Sequence, residues 1–447
     1  MVSAAERLAS NVNFGAFSKA TELKQRIWFT LGALIVYRLG TYIPIPGIDA
    51  AVLSEIFESQ AGGLLGMFDM FSGGALGRMT IFALNIMPYI SASIIMQLMT
   101  AISPKLEALK KEGESGRKKI NQYTRWGTVL LAAVQAYGLA VGVEGMRGAS
   151  GGAVLDPGMF FRVTTVITVV GGTMFLMWLG EQITARGIGN GISLIIFAGI
   201  VANLPTALAS MFELSRTGAL SAGVIILFLL MAIAVVAGIV FMERAQRRLI
   251  VQYPKRQVGN KMYGGDSSHL PLKLNTAGVI PPIFASSLLL MPVTIANFGG
   301  QSESEWLNFI SAYLGHGQPL YLAFYIGMIV FFCFFYTAIV FNPEETADNL
   351  KRYGGYIPGI RPGKNTAEYI DFVLTRLTVL GAAYLAAVCL LPELLIAQYA
   401  VPFYFGGTSL LIVVNVTMDT VAQVQSHLLA HQYEGLIKKS KLKGRRR

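Results

Sequence analysis

The stretch LLGMFDMFSGGALGRMTIFALNIMPYISASIIMQLMTAI, residues 64–102, decides the fold because a short apolar segment stands directly before a long one. Residues 64–71 are mostly apolar, but a helix of this length rises only about 12 Å. The hydrocarbon core of a bilayer is about 30 Å thick, so this segment cannot cross it. The apolar run that follows at 79–102 is long enough to do so. The pattern indicates a membrane protein in which a half-length apolar segment has some other task.

Composition and motifs agree with this class. Hydrophobic residues make up 53% of the 447-residue chain and charged residues only 14%, against about 25% charged residues in ordinary soluble domains. Residues 1–26 contain four basic residues, so we expect no cleavable signal peptide there. No phosphate-binding loop, serine elbow or metalloprotease pattern occurs. We therefore expect no enzyme activity, no catalytic residues, no cofactor and no metal.

Long apolar runs recur along the chain, each near the length of about 20 residues that a spanning helix needs. We predict an all-α integral membrane protein with ten transmembrane helices, at 27–43, 79–102, 126–143, 160–179, 188–208, 220–242, 277–296, 320–341, 372–391 and 405–429. An even number of spans puts both termini on the same side of the membrane.

Basic residues predict which side this is. Thirty of the 36 Lys and Arg residues lie in the two termini and the alternate loops between them. The opposite loops contain only Arg78, Arg147 and Arg216. Because cytoplasmic loops carry the excess of basic residues, both termini are predicted to be cytoplasmic. Three more arginines lie near span ends, where their side chains can snorkel to the interface: Arg38, Arg162 and Arg376.

The ten spans divide into an N-terminal half, 27–208, and a C-terminal half, 220–429, flanked by a cytoplasmic segment 1–26 and a basic tail 430–447. The second span of each half contains proline, which interrupts helices. Interrupted helices at matching positions point to a transport pathway. Polar residues on these spans or their neighbours either bond between helices or line a wet path, and both interpretations stay open: Ser91, Gln135 and Asn275.

Two cytoplasmic loops, 243–276 and 343–371, are long, basic and rich in turn residues. Charge that merely sets the topology explains short loops better than these. Docking to an acidic partner, such as ribosomal RNA phosphate or an acidic protein face, explains them at least as well.

The sequence resembles the SecY family, the channel-forming subunit of the bacterial protein translocase, over nearly its whole length. The resemblance is densest at YIPIPGID (42–49), MFSGGALGRMTIFALNIMPYISASIIMQL (70–98), KKEGESGRKKINQYTR (110–125), MFLMWLGEQITARGIGNGISLIIFAGI (174–200), AGVIPPIFASSLL (277–289), FFCFFYTAIVFNPEETADNLK (331–351), GIRPGKNT (359–366) and PFYFGGTSLLIVVNV (402–416). It departs at Asn85, where we expect glycine.

The resemblance implies two pseudo-symmetric five-helix halves around a central hourglass pore. It implies a channel that translocates unfolded secretory polypeptides across the inner membrane and releases membrane segments laterally into the bilayer. The half-length segment 64–74 would be a movable plug, with these residues: Leu64, Leu65, Met67, Phe68, Met70, Phe71, Gly73 and Gly74. An interfacial or re-entrant helix would fit 64–71 equally well.

The resemblance also implies a ring of aliphatic side chains at the pore constriction: Ile86, Ile90, Ile192, Ile196, Ile283 and Ile412. Two pairs are spaced i,i+4 and so share a helix face. By spacing alone, any one of them would more often pack between helices or face lipid. A lateral gate would lie between the second and third spans on one side and the seventh and eighth on the other, with Ser91, Gln135 and Asn275 near it.

The implied partners are SecE-like and SecG-like small membrane subunits, the motor ATPase SecA, the ribosome, unfolded preproteins, nascent chains and membrane lipid. Docking would use four arginines of the two cytoplasmic loops: Arg247, Arg248, Arg256 and Arg361. Two other classes remain open. A solute or ion transporter predicts a buried charged binding site, and a ribosome-anchoring scaffold without a pore would leave the plug-like segment without a task.

Overall fold

The computed structural model describes residues 21–49, 52–53, 56, 69, 72–148, 151–217, 222–254, 256–258, 261–263, 267–298, 318–399 and 407–444. Helices follow the apolar runs, because inside lipid each backbone N–H and C=O must bond within its own segment. The N-terminal half contains α1 (Thr21–Gly40), α2 (Met87–Ile102), α3 (Pro104–Lys111), α4 (Glu114–Gly145), α5 (Met159–Arg186), α6 (Gly191–Ala202) and α7 (Leu204–Arg216).

The C-terminal half contains α8 (Ala222–Arg244), α9 (Ile280–Phe298), α10 (Pro319–Val340), α11 (Pro343–Arg352), α12 (Lys364–Tyr399) and α13 (Gly407–Gly444). In the described part of the chain, 7 helical segments are long and apolar enough to cross a membrane. They comprise α4, α5, α6 with α7, α8, α10 with α11, α12 and α13. The shorter apolar helices α2 and α9, together with α1, occupy the remaining predicted spans.

The second span differs from its prediction. Residues 79–86 form turns, and α2 begins only at Met87, with Pro88 in its first turn. Proline fits a helix start because the N–H it lacks has no partner there anyway. Asn85 adopts a φ of +49°, which an α-helix cannot contain. The predicted spanning helix is therefore wrong at this point: the helix has 16 residues, and its proline begins it instead of kinking it.

Short strands build hairpins between the helices. β1 (Arg147–Gly148) pairs with β2 (Gly151–Gly152), β3 (Gln246–Gln252) with β6 (Ser267–Lys273), and β4 (Arg256–Val258) with β5 (Lys261–Tyr263), all antiparallel. In the β3–β6 hairpin, Gln246 lies opposite Lys273 and Gln252 opposite Ser267. This register makes a ribbon that projects from the end of α8 and returns to the start of α9.

Buried apolar side chains form separate clusters. One lies between the halves and takes residues from α1, α2, α5 and α6 on one side and from α9, α10 and α13 on the other. Another lies inside the N-terminal half, and a third inside the C-terminal half between α8, α9, α10, α12 and α13. The cluster between the halves is where a central pathway would have its narrowest point.

Candidate functional site: an isoleucine collar, a hinge and a platform

The six predicted ring residues lie together in the apolar cluster between the halves. Four are buried and two are partly buried against them, and we call the set the isoleucine collar: Ile86, Ile90, Ile196 and Ile412, with Ile192 and Ile283. It draws side chains from the start of α2 and from α6 in one half, and from α9 and α13 in the other. Aliphatic side chains offer no hydrogen bonds, so such a collar can exclude water and ions without holding a polypeptide.

The start of α6 is built so that its two collar residues have a defined position. The Asn190 side chain caps the helix by accepting from the backbone N–H groups of Ile192, at 3.1 Å, and of Ser193, at 3.4 Å. A Cβ on Gly191 would collide with the carbonyl oxygen of Gly180, so glycine lets α6 pack closely on α5. Ile192 and the buried Ile196, one turn later, therefore project from a fixed helix start.

A loop before α6 joins the two halves. The backbone N–H of Gly189 donates to Oε1 of Gln423 on α13 at 2.8 Å, and the N–H of Ile188 donates to the Thr30 hydroxyl of α1 at 3.1 Å. Sequence reasoning missed this contact, because Gln423 lies 234 residues from its partner and carries no motif. The loop thereby ties α6, and with it part of the collar, to α13.

The plug prediction falls mostly outside the described residues, which omit Leu64, Leu65, Met67, Phe68, Met70 and Phe71. The structure does describe Asp69 and residues 72–78. We call these residues together the hinge. Gly73 has a φ of +70° and Gly74 a φ of +82°, a left-handed conformation that favours glycine. The attachment of the predicted plug to the rest of the chain is therefore known in detail.

Helix α1 holds the hinge through two side chains. Nη1 of Arg38 donates to the Gly73 carbonyl at 2.7 Å, and the Tyr37 hydroxyl donates to the Ser72 carbonyl at 3.2 Å. Nη2 of Arg38 also donates to the Tyr42 hydroxyl at 2.9 Å. Arg38 therefore has structural partners at the hinge, which are carbonyl and hydroxyl acceptors.

The other two arginines of the predicted spans have partners of their own. Arg162 forms an ion pair with Glu144 at 2.7 Å, which joins α5 to α4. The Arg376 guanidinium lies 4.0 Å from the centre of the Phe372 ring on the same helix. Both contacts are structural, as the sequence indicated for these two residues.

A carboxyl group organises the inside of the hinge. Asp69 Oδ1 accepts from the Gly77 backbone N–H at 2.7 Å, and the Ser72 hydroxyl donates to the Asp69 carbonyl at 2.9 Å. Burial raises the pKa of the Asp69 carboxyl, against the opposing effects of the Gly77 hydrogen bond and the nearby Arg78 guanidinium. Asp69 therefore fixes the turn through a hydrogen bond and a partly desolvated charge.

The elements predicted to form the lateral gate lie in contact: α9 packs on both α2 and α4 across the two halves. Ser91 on α2 and Gln135 on α4 are partly buried. Asn275 is buried, and it donates to Glu243 at 2.7 Å and to the Gly278 carbonyl at 3.1 Å, both in its own half. The helices of the gate are thus together, but the hydrogen bonds of Asn275 do not cross between them.

The two long basic loops, which the sequence analysis treated separately, form one folded unit. Gln252 of β3 and Tyr356 exchange backbone hydrogen bonds at 2.9 and 3.0 Å. Leu249 and Leu272 of the hairpin share an apolar core with Ile357 and with the first turns of α12. We call this unit, β3 and β6 with residues 343–377, the platform.

Three of the four predicted docking arginines lie on this unit. Arg247 and Arg248 are exposed on β3, and Arg361 is exposed in the loop before α12. Arg256 opens β4, and its side chain is outside the described part. The Thr366 hydroxyl donates to the Arg361 carbonyl at 2.9 Å, so the loop that presents this arginine has a fixed shape.

The fold is that of a protein-conducting channel. A solved structure described as "The structure of a protein conducting channel" matches with a TM-score of 0.62 at 17% identity, covering 91% of this chain and 92% of that chain. Sec61 in the canine ribosome–channel complex from the endoplasmic reticulum matches with a TM-score of 0.61 at 17% identity, with 91% and 92% covered. The predicted all-α membrane architecture is confirmed.

Proteins related by sequence are more similar to this chain than the solved structures above. The SecY family profile matches residues 80–421. The protein translocase subunit SecY of Rickettsia bellii is 60% identical over 440 residues, covering 97% of this chain and 100% of the relative. That of Escherichia coli strain K12 is 59% identical over 424 residues, covering 95% and 96%. The chain belongs to the SecY family and is a multi-pass membrane protein.

Proposed function

We propose that this chain is a gated channel that conducts unfolded secretory polypeptides across the membrane and releases membrane segments sideways into the bilayer. The observation that carries the proposal is the isoleucine collar, in which both halves contribute to one buried cluster. The relatives from Rickettsia bellii and Escherichia coli are named as protein translocase subunits, which supports the same activity. The chain itself catalyses no reaction.

The collar is the first barrier to ions. Its side chains come from two facing halves, so a small separation of the halves widens it and their return closes it. Isoleucine suits this task, because its β-branched side chain is stiff at χ1 and therefore keeps a defined shape at the constriction. A translocating chain of any sequence can displace water from such a surface without finding a specific partner.

The plug, residues 64–74, is the second barrier. Its glycines at 73 and 74 allow a change of direction, and the bonds from Arg38 and Tyr37 hold its base to α1 in the resting channel. Displacement of the plug requires these few bonds to break. A plug that is held in this way can seal the pore and still be displaced.

The lateral gate opens between α2 and α4 on one side and α9 and α10 on the other. Ser91, Gln135 and Asn275 mark this region, in which hydrogen bonds between membrane helices are worth about 0.6–2 kcal/mol each. An apolar signal sequence or membrane segment supplies the opposing free energy when it moves from water into lipid. The gate therefore responds to the hydrophobicity of the passing segment.

The platform receives the partners that drive transport. Its basic residues Arg247, Arg248 and Arg361, together with Arg256 on β4, suit the acidic surface of a SecA motor or the phosphates of ribosomal RNA. A structurally similar channel, Sec61, occurs in a complex with the ribosome. A single-span SecE-like subunit would clamp the two halves, and a SecG-like subunit would lie alongside. The energy comes from ATP hydrolysis by the motor, from polypeptide synthesis and from the membrane potential.

The orientation follows from charge. The excess of basic residues in one set of loops supports cytoplasmic termini and a cytoplasmic platform. The bacterial sources of the relatives support a location in the bacterial inner membrane. Secretory chains would enter on the platform side and meet the collar before the plug.

Crosslinking of a stalled secretory chain tests this function. Single cysteines replace Ile86, Ile196, Ile283 or Ile412 in a chain whose two native cysteines, Cys333 and Cys389, are changed to alanine. We expect all four positions to crosslink to the stalled chain, because the path narrows at the collar.

Matched controls are isoleucines that face outward. Ile95 lies on the same helix as Ile90 and is 44% exposed, and Ile233 on α8 is 65% exposed. Cysteines at these two positions should not react with the stalled chain. Crosslinks at the controls with none at the collar would contradict the proposed path, and no crosslink anywhere would favour a scaffold without a pore.

A further inference from the structure

Phe82 lies in the non-helical segment that connects the hinge to α2. Its side chain is 3% exposed and belongs to the same buried cluster as the collar. Residues 81–86 form turns, so no continuous helical ladder of hydrogen bonds fixes the path of this segment. A buried ring can fix the path of such a segment by packing against its neighbours. The collar and the hinge, as described above, assign no role to this ring.

The Phe82 ring occupies a slot between α1 and α5 that two glycines leave open. A Cβ on Gly40, the last residue of α1, would collide with Cε2 of the Phe82 ring. A Cβ on Gly172 of α5 would collide with the Ile81 carbonyl oxygen and would lie 3.2 Å from Cδ1 of Phe82. Because neither glycine can gain a side chain without a shift of the ring or its backbone, the position of the ring is closely defined.

The ring also supports the side chain that bonds the hinge. The rings of Phe82 and Tyr37 are stacked, with their centroids 6.2 Å and their planes 16° apart. Tyr37 is fully buried, and its hydroxyl donates to the Ser72 carbonyl at 3.2 Å. Phe175 of α5 stacks on Phe82 as well, at 5.9 Å and 4°. Phe82 therefore joins the Tyr37 ring to α5 and keeps the Tyr37 hydroxyl within reach of the hinge.

The backbone of Phe82 supports the first residue of the collar. Its carbonyl accepts from the Asn85 N–H at 2.9 Å, in a turn where Asn85 has a φ of +49°. Asparagine is one of the few residues besides glycine that often adopt this left-handed conformation. Ile86 follows directly and is 1% exposed, and its carbonyl accepts from the N–H groups of Tyr89 and Ile90 at the start of α2. The position of Phe82 thus determines where Ile86 enters the collar.

We propose that Phe82 is a positioning residue shared by the two barriers of the channel. Its ring places the Tyr37 hydroxyl on the hinge, and its backbone places Ile86 in the collar. Displacement of the ring from its slot loosens both barriers at once, whereas loss of the Tyr37 hydroxyl loosens the hinge alone. This inference rests on the proposed function, because it concerns how the same collar and plug are held in the resting channel.

Two reporters in the assembled translocase complex distinguish the barriers. The hinge reporter is the yield of crosslinks between a cysteine placed in 64–71 and the outer part of α1. The collar reporter is the rate at which a cysteine replacing Ile86 reacts with a water-soluble thiol reagent. The reagent is added on the platform side, so that displacement of the plug alone does not expose this cysteine. Both reporters use a chain in which Cys333 and Cys389 are changed to alanine.

Gly40→Ala forces the ring out of its slot without changing the ring itself. We expect it to lower the crosslink yield about threefold and to raise the reaction rate about threefold. Phe82→Met, which keeps an apolar side chain but removes the ring, should do the same. Tyr37→Phe should lower the yield about twofold and leave the rate unchanged, because the stacked ring remains. In the Phe82→Met background, Gly40→Ala should have little further effect, since the flexible methionine presents no ring edge to displace.

Gly32→Ala is the matched control, because Gly32 lies on the same helix and a Cβ there would meet nothing within 4 Å. It should change neither reporter. An effect of Gly40→Ala on one reporter only, additive effects of Gly40→Ala and Phe82→Met, or equal effects of the two glycine variants would overturn the shared role. The stalled-chain crosslinks at the collar are measured with Gly40 and Phe82 unaltered, so the proposed function can stand while this inference falls.

Discussion

The collar and the hinge are held by opposite kinds of interaction, although the first collar residue, Ile86, follows the hinge closely along the chain. The collar consists of aliphatic side chains from both halves and relies on packing. The hinge is held within the N-terminal half by directional hydrogen bonds that Arg38 and Tyr37 donate and that the Asp69 carboxylate accepts. Packing weakens gradually as surfaces separate, whereas a hydrogen bond is lost beyond a narrow range of distance and angle.

This difference assigns each region a task. A collar that yields gradually can fit polypeptides of variable width and reseal around them. A hinge held by a few directional bonds has one docked position and leaves it as a unit. Each variant below removes one kind of interaction and leaves the other intact, which tests whether the two tasks are separate.

The largest effect is expected from a polar side chain in the collar. Ile412 is 2% exposed, and Ile412→Asn would bury an amide without partners there. Such a group costs about 1–3 kcal/mol and lets water enter the constriction. The idle ion conductance in planar bilayers should rise about tenfold. Ile412→Leu, which keeps the volume and the apolar surface, should leave it within about twofold, and equal effects of the two variants would contradict a dewetted collar.

A smaller effect is expected from the charged anchor of the hinge. Arg38→Ala removes the 2.7 Å bond to the Gly73 carbonyl, and hydrogen bonds to charged groups contribute about 1.5–3 kcal/mol. The idle conductance should rise only about threefold, because the collar remains closed. The yield of crosslinks between a cysteine placed in 64–71 and the outer part of α1 should fall by more than about threefold. Arg162→Ala, which breaks an ion pair away from the hinge, is the control.

Tyr37, the uncharged residue that bonds the hinge, should contribute less than Arg38 to holding the hinge in place. Tyr37→Phe keeps the ring and removes only the 3.2 Å bond to the Ser72 carbonyl, and a neutral hydrogen bond contributes about 0.5–1.5 kcal/mol. We expect conductance to rise no more than about twofold. The double variant with Arg38→Ala should exceed either single variant. A Tyr37→Phe effect larger than that of Arg38→Ala would show that packing of the ring, not hydrogen bonding, holds the hinge.

The smallest effect is a pH dependence. Burial raises the pKa of Asp69 in the docked hinge above its usual value. The docked state therefore binds the proton more tightly, so it gains stability as the pH falls towards this raised pKa and loses it as the pH rises through it. Idle conductance should decrease slightly on acidification. Asp69→Asn, which still offers an acceptor to Gly77, should remove this dependence.

Much of the fold could be predicted from the sequence because hydropathy is a local property. The apolar runs located the spans, and the basic loops indicated an orientation. The second span shows the limit of this reasoning. Its apolar run starts at residue 79, but the positive φ of Asn85 and the bonds of the hinge delay the helix to Met87. Hydropathy counts apolar residues whether or not the backbone is helical.

The collar shows a different limit. Spacing on α2 and α6 pairs four of its isoleucines, but only the family resemblance selected the six from the many isoleucines of the chain. Arg38 was assigned a structural role, but its partner could not be predicted, because the partner carbonyl belongs to a residue 35 positions later. No local pattern reports such a partner.

Composition, hydropathy and charge order were enough to define a multi-pass membrane protein with basic loops on one side, because lipid and water sort residues by chemistry over short stretches. Only the packed chain brought six isoleucines into one cluster, joined two long loops into a platform and bonded Asn275 to Glu243. These arrangements depend on contacts between residues far apart in the chain. Their stabilising free energy comes from pairs and groups of side chains, so no single segment of the sequence reveals it.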